Sequence, residues 1–214
     1  MEGTLVRVLA AAAAAILASG CAFGTNHVKL APTQIAGTPE QGTSVRVSVK
    51  DARSEVSGAQ VGFKRNGYGA KTGSVELADG EQVAARIERD LVSLLRERGY
   101  RALSIGEDTT EGTDRLTCNA EVLSFIVDVK QGFWSGSLEG LGAVRVDIID
   151  ERTGRTVWHD IVRGDYTKSG LQFVSAEDHQ EVVGRMYALL ISNMKSAIPD
   201  GRAPLRRPVT PGDQ

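Results

Sequence analysis

All six prolines of this 214-residue chain lie outside residues 40 to 198: Pro32 and Pro39 come before that stretch, and Pro199, Pro204, Pro208 and Pro211 come after it. Proline fixes φ and removes a backbone donor, so it breaks helices and central strands and collects where regular structure stops. The stretch between can therefore be read as one uninterrupted folded body. With 41% hydrophobic and 24% charged residues the whole chain has the make-up of a globular protein, and one domain is the natural expectation at this length. The formal net charge of -2 gives no broad attraction to nucleic acid, so nucleic acid is not an expected partner.

Inside that body two periodicities alternate. Ser44 to Lys50 places Val45, Val47 and Val49 on one face and Arg46, Ser48 and Lys50 on the other, the pattern of a half-buried strand. Asp79 to Arg98 carries Val83, Ala84, Ile87, Leu91, Leu94 and Leu95 at helical spacing, with Gly99 as a C-terminal cap. Tyr100 to Ile105 reads as a short strand, and Leu116 to Val129 as a long one whose apolar phase slips near Val122 and Leu123, where a β-bulge is expected. Ala143 to Asp150 and Thr156 to Arg163 flank the turn-rich Glu151 to Arg155 and form a hairpin. A second helix is expected from Ala176 to Ala197, capped by Ser175 and Asp178, with Val182, Val183, Met186, Leu189, Leu190 and Met194 as its buried face. The order points to an α+β fold, a mostly antiparallel sheet with two helices packed on one face.

Outside the body the composition changes. Residues 21–43 are rich in Gly, Thr, Pro and small side chains and read as a tether, and residues 199–214, with Arg202, Arg206 and Arg207 among prolines, read as a disordered tail. Residues 44–198 form the single α+β domain. Residues 1–20 combine Arg7 with an uncharged, alanine-rich stretch from Val8 to Ala18 that is too short to span a bilayer. That is a signal peptide. It ends in Leu17-Ala18-Ser19-Gly20-Cys21, which resembles the bacterial lipobox. The resemblance implies cleavage before Cys21, lipidation of its thiol, and anchoring by acyl chains whose burial contributes about 0.8 kcal/mol per methylene. Because Ala22 and not an aspartate follows, the pattern implies the outer membrane, with the domain facing the periplasm.

The lipobox, the first strand Val45-Arg46-Val47-Ser48-Val49-Lys50-Asp51 followed by Arg53, and the helix exit Leu94-Leu95-Arg96-Glu97-Arg98-Gly99-Tyr100 together resemble the YajG-type bacterial lipoproteins, as does the later strand rising into Gln131-Gly132. That family brings no catalytic residues to carry over. It implies a small outer-membrane lipoprotein, and the proline-rich tail is a departure from it.

Chemistry-bearing patterns are sparse. His27, His159 and His179 show no metal-ligand spacing, and the neighbours His159 and Asp160 on a strand point to opposite faces. Asp51 and Arg53 suit an ion pair at a strand end. Gly67-Tyr68-Gly69 lacks the context of a phosphate loop, no nucleophile elbow is present, and Cys118 sits on the apolar face of a strand. No enzyme activity, cofactor or metal is expected. The best candidate contact surface is Gly132 to Gly142, read as a glycine-rich loop whose Phe133 and Trp134 either meet a partner or fold back on the core. The expected role is a noncatalytic envelope protein that binds another envelope protein or a cell-wall component. An auxiliary subunit of an envelope transport system and an envelope hydrolase are the alternatives.

Overall fold

A computed structural model describes residues 24–32, 34, 37, 42–66, 68–105, 115–131 and 135–201. Cys21, Phe133, Trp134 and residues 202–214 lie outside the described residues.

Among the described residues, eight strands and two long helices make up the body. They are β1 (Asn26–Val28), β2 (Ser44–Asp51), β3 (Gln60–Arg65), β4 (Lys71–Leu77), α1 (Val83–Glu97), β5 (Arg101–Ser104), β6 (Arg115–Gln131), β7 (Gly136–Asp150), β8 (Arg155–Leu171) and α2 (Ala176–Ala197). The sheet is α+β in context but mixed, which corrects the expectation of a mostly antiparallel one. The pairs β1–β4, β2–β5, β2–β6 and β3–β6 are parallel, while β3–β4, β6–β7 and β7–β8 are antiparallel. The cause lies in the connection after β2. The β3–β4 hairpin and α1 return the chain to the level where β2 began, so β5 and β6 start beside Ser44 and run in its direction.

β6 is the spine. β7 follows one edge of it from Leu116 to Gln131, so β2 and β3 share the other edge in tandem, β2 along Arg115 to Val122 and β3 at Val127. The sheet therefore forks there, with β5 outside β2 on one branch and β4 and β1 outside β3 on the other. The fork coincides with the phase slip at Leu123, where the β6–β7 register shifts between Val122 and Ser124. An extra residue turns the strand locally, so Val122 and Phe125 both face the core.

Both helices join one core with the inner faces of the strands: Ile87, Leu91 and Leu95 of α1 and Val182, Met186, Leu190 and Met194 of α2 are buried in one cluster with Val45, Cys118, Val144 and Ile148. α1 begins later than its periodicity suggests, because Asp79 and Gly80 adopt positive φ in a short 3-10 turn over Ala78–Gly80. It ends where expected: Gly99 takes φ 87°, and Tyr100 N–H donates to the Leu95 carbonyl at 3.0 Å. α2 starts with the expected capping box between Ser175 and Asp178. Its Leu189 is 41% exposed and not part of the buried face.

The segment expected as a tether is partly structured. β1 pairs with β4, and beyond it Lys29 to Pro32 and Gln34 lie across the helices: Gln180 bonds both backbone groups of Lys29 at 2.7 and 2.8 Å, Arg86 donates to the Ala31 carbonyl, and Ser93 donates to that of Gln34. Three residues of strand are too few to show a periodicity, which is why β1 is silent in the sequence.

Candidate functional site

The sequence motif Asp51/Arg53 sits at the fork. Arg53 is spent on structure: its Nε and Nη2 grip the Asp51 carboxylate at 2.8 and 2.7 Å, Nη1 donates to the carbonyls of Gln60 and Phe125 at 2.7 and 3.2 Å, and Nη2 to that of Gly58 at 2.8 Å. Five donors in a rigid fork suit this task. These bonds replace the ladder where the chain leaves β6 between β2 and β3. The hydrogen bonds from Arg53 hold the Asp51 carboxyl below its ordinary pKa, against the opposing effect of burial.

The other sequence candidates separate in space. His159 Nδ1 meets Asp147 at 2.5 Å across the β7–β8 ladder and not its neighbour Asp160. His179 is buried at the start of α2, and its Nδ1–H donates to the Ser175 carbonyl at 2.8 Å. Burial lowers its pKa. Cys118 is buried, and desolvation pushes its thiol up to about 12. Among the described residues no three His, Cys, Asp or Glu side chains are grouped to hold a metal.

The glycine-rich stretch is shorter as a loop than its composition suggests. β7 begins at Gly136, so Gly140 and Gly142 lie inside a strand. Their missing side chains admit α2: a Cβ on Gly140 would lie 3.0 Å from Val182 Cγ1 and 3.2 Å from Met186 Cβ. Across the ladder Gly164 pairs with Gly142, and a Cβ there would overlap the Leu190 backbone. The glycines thus serve a close helix-to-sheet approach. Gln131 and Gly136, which flank Phe133 and Trp134, pair with one another at the end of the β6–β7 hairpin.

Two features had no signal in the sequence. The first is a groove of about 690 Å³ between α1 and α2, walled by Leu30, Ala31 and Pro32 and by Leu94, Tyr187 and Ile191. At one side Arg86 Nε donates to Asp90 at 3.0 Å and to the Tyr187 hydroxyl at 2.9 Å, and that hydroxyl donates to Asp90. Burial first, and then the Asp90 charge, raises the Tyr187 pKa. Residues 97 positions apart build this cluster, so no local spacing reveals it. The second feature is the end of the sheet towards which β3 and β6 run. It carries the β3–β4 turn with Tyr68, the β8–α2 connection with Phe173, and a cavity of about 130 Å³ lined by Lys64, Arg65, Asn66, Thr72 and His179. His179 Nε2 is buried there without a hydrogen-bond partner among the described residues.

No protein-family model and no curated protein matches the chain. Among solved structures it is similar to a DUF330-family protein of Xanthomonas campestris, with 11% identity, a TM-score of 0.50, and coverage of 80% of this chain and 91% of that one. It is also similar to a minor lipoprotein of Acinetobacter baumannii (12% identity, TM-score 0.37, 79% and 100% covered) and to a lipoprotein of Neisseria meningitidis (14%, 0.25, 65% and 92%). The likeness of fold rests on the first. Among the described residues no helix is long and apolar enough to cross a membrane.

Proposed function

We propose that this chain is an exported lipoprotein of the YajG-type kind, lipidated at Cys21 and held on the periplasmic side of the outer membrane, where it acts as a noncatalytic binding or assembly protein. The observation that carries the reading is Leu17-Ala18-Ser19-Gly20-Cys21 placed five residues before β1, which starts at Asn26. A peptidase site and an anchor belong at that point of a chain, a few residues ahead of its first strand. The partner is an envelope protein or a cell-wall component.

The auxiliary transport role is the second reading, and the groove between α1 and α2 favours it. A concave, largely apolar site of about 690 Å³ is in the size range of small-molecule sites.

Metabolic labelling with an alkyne fatty acid tests the anchor: the wild type takes up label and fractionates with outer membranes, and Cys21→Ser does neither. Label on Cys21→Ser, or an unlabelled wild type, refutes it. Crosslinking in intact cells then separates a protein partner from an apolar small ligand in the groove.

A further inference from the structure

The described chain starts in contact with the sheet. Gly24 lies so close to Gly73 that a side chain on Gly73 would overlap its carbonyl, and Thr25 Oγ1 and Ser74 Oγ are 3.0 Å apart. Asn26, His27 and Val28 then pair with Val75, Glu76 and Leu77. Because β1 runs parallel to β4, Gly24 and Thr25 lie beside Gly73 and Ser74, near the start of β4 and the Asn66–Ala70 turn that precedes it. Cys21 stands three positions before Gly24, a reach of at most about 11 Å. A lipid on that cysteine therefore holds this end of the sheet near the bilayer. The inference rests on the lipidation reading above.

The same end presents the two most exposed large hydrophobic side chains among the described residues, Tyr68 at 97% and Phe173 at 87%. They share an end for topological reasons. Arg65, beside the turn, grips Asp128 of β6 at 2.5 and 2.7 Å, the end of β6 pairs with Gly136, and Gly136 pairs with Leu171 at the end of β8. Aromatic side chains favour the bilayer interface. The charge agrees with this. Gln60 to Leu77 holds Lys64 and Lys71, besides the Arg65 that is matched by Asp128, against the one carboxylate of Glu76, in a chain whose net charge is -2. Asp128 is paired with Arg65, and Asp178 and Glu181 with Lys168 at 2.7 and 2.6 Å, while Glu177 in the first turn of α2 is exposed on the Phe173 side. Cations at a membrane surface are attracted by anionic headgroups.

We propose that this end of the sheet, led by Tyr68 and Phe173 and flanked by Lys64 and Lys71, is a membrane-docking surface that seats the body on an anionic phospholipid bilayer beside its own lipid anchor. The β2–β5 branch then stands away from the membrane. Ile105, which is 64% exposed, marks that branch: its N–H donates to Val47, which pairs with Cys118. The strand from Cys118 to Gln131 spans on the order of 40 Å.

The test uses the full lipidated chain in vesicles of phosphatidylethanolamine and phosphatidylglycerol. With Trp134→Phe and Trp158→Phe removing both native tryptophans, single reporters are placed as Tyr68→Trp, Phe173→Trp and Ile105→Trp, and emission is read with brominated acyl chains. The first two are expected to lose at least half their emission while Ile105→Trp is unchanged. Equal, weak quenching of all three overturns the docking. Should the background unfold, hydrogen exchange on the wild type serves instead: at least tenfold slowing around Tyr68 and Phe173 on vesicles relative to detergent supports the surface, and no slowing overturns it. Flotation separates the two readings. A wild type that does not float sinks the anchor and the docking together, whereas one that floats with Tyr68→Trp unquenched overturns the docking alone.

Discussion

Replacing the buried Arg53 by methionine should destabilise this fold at the fork. The side chain is 2% exposed and all of its contacts are to Asp51 or to the carbonyls of Gly58, Gln60 and Phe125. Methionine keeps most of the volume and none of the donors. Three carbonyls and a carboxylate each lose a donor, although the Gly58 carbonyl keeps the Val83 N–H at 3.1 Å, and breaking one side of a buried ion pair costs about 3 to 5 kcal/mol. Asp51 keeps the Gly58 N–H at 3.0 Å and is 21% exposed, so water recovers part of the loss. The expected value is near the lower bound, about 3 kcal/mol, and with a urea slope of about 2 kcal/mol/M the midpoint should fall by about 1.5 M. pH supplies an independent check. The Asp51 pKa is depressed in the folded state, so its contribution is present above the unfolded value of about 3.9 and lost as pH falls through the folded value. The gap between wild type and Arg53→Met should therefore narrow below about pH 4. A loss under about 1 kcal/mol at neutral pH, or a gap that does not change in acid, would refute the reasoning.

Gly164→Ala should be strongly destabilising, by about 1 to 3 kcal/mol in chemical denaturation, because its methyl group would overlap the Leu190 backbone and push α2 off β8. Ser175→Ala removes the acceptor for Asp178 N–H at 3.1 Å and should cost about 1 kcal/mol by the same measurement. The Asp178 carboxyl, held down at about 2 by its hydrogen bond from Lys168, should contribute stability above about pH 4 that disappears as pH falls towards 2, a loss that Lys168→Met reduces in acid titration of the melting temperature. In a Cys21→Ser background Cys118 should resist a thiol-reactive disulfide at pH 8 until denaturant is added, since its thiol is buried and pushed up to about 12; rapid modification of the native protein would contradict this.

What could be read from the sequence was local. The Ser175–Asp178 cap, the Gly99 stop and the slip at Val122 and Leu123 each announce themselves within a few residues, and each is in the structure. Strand direction was not legible, because whether β2 meets β6 in parallel depends on how an intervening hairpin and helix carry the chain back. Gly140 and Gly142 were misread for a related reason. A glycine in a turn and a glycine under a helix look alike until the partner helix, some 40 residues on, is in place. Leu189 fits the apolar stripe of α2, but the helix touches β8 and β7 over a narrower face than that stripe covers. Of the residues of the proposed docking surface, Tyr68 stands in a turn weighed only as a phosphate loop, and Phe173 has no motif around it. Their common feature is position at one end of the sheet, which no spacing encodes.

The N-terminal segment ties these observations into one mechanical unit. β1 adds to the β4 edge, and the residues after it are bonded to α1 through Arg86 and Ser93 and to α2 through Gln180. Parallel strand pairs and side-chain bonds to backbone carbonyls of this kind do not open without leaving those groups to find other partners. Ala31 and Pro32 also wall the groove between the helices. A force or displacement at Cys21 would therefore be felt first at Gly24 and Gly73, then along β1, and then at the groove. In a chain anchored at that cysteine, membrane attachment and the groove are connected through a run of about ten residues, so the anchor would set the orientation of the body and also bear on the shape of this concave site.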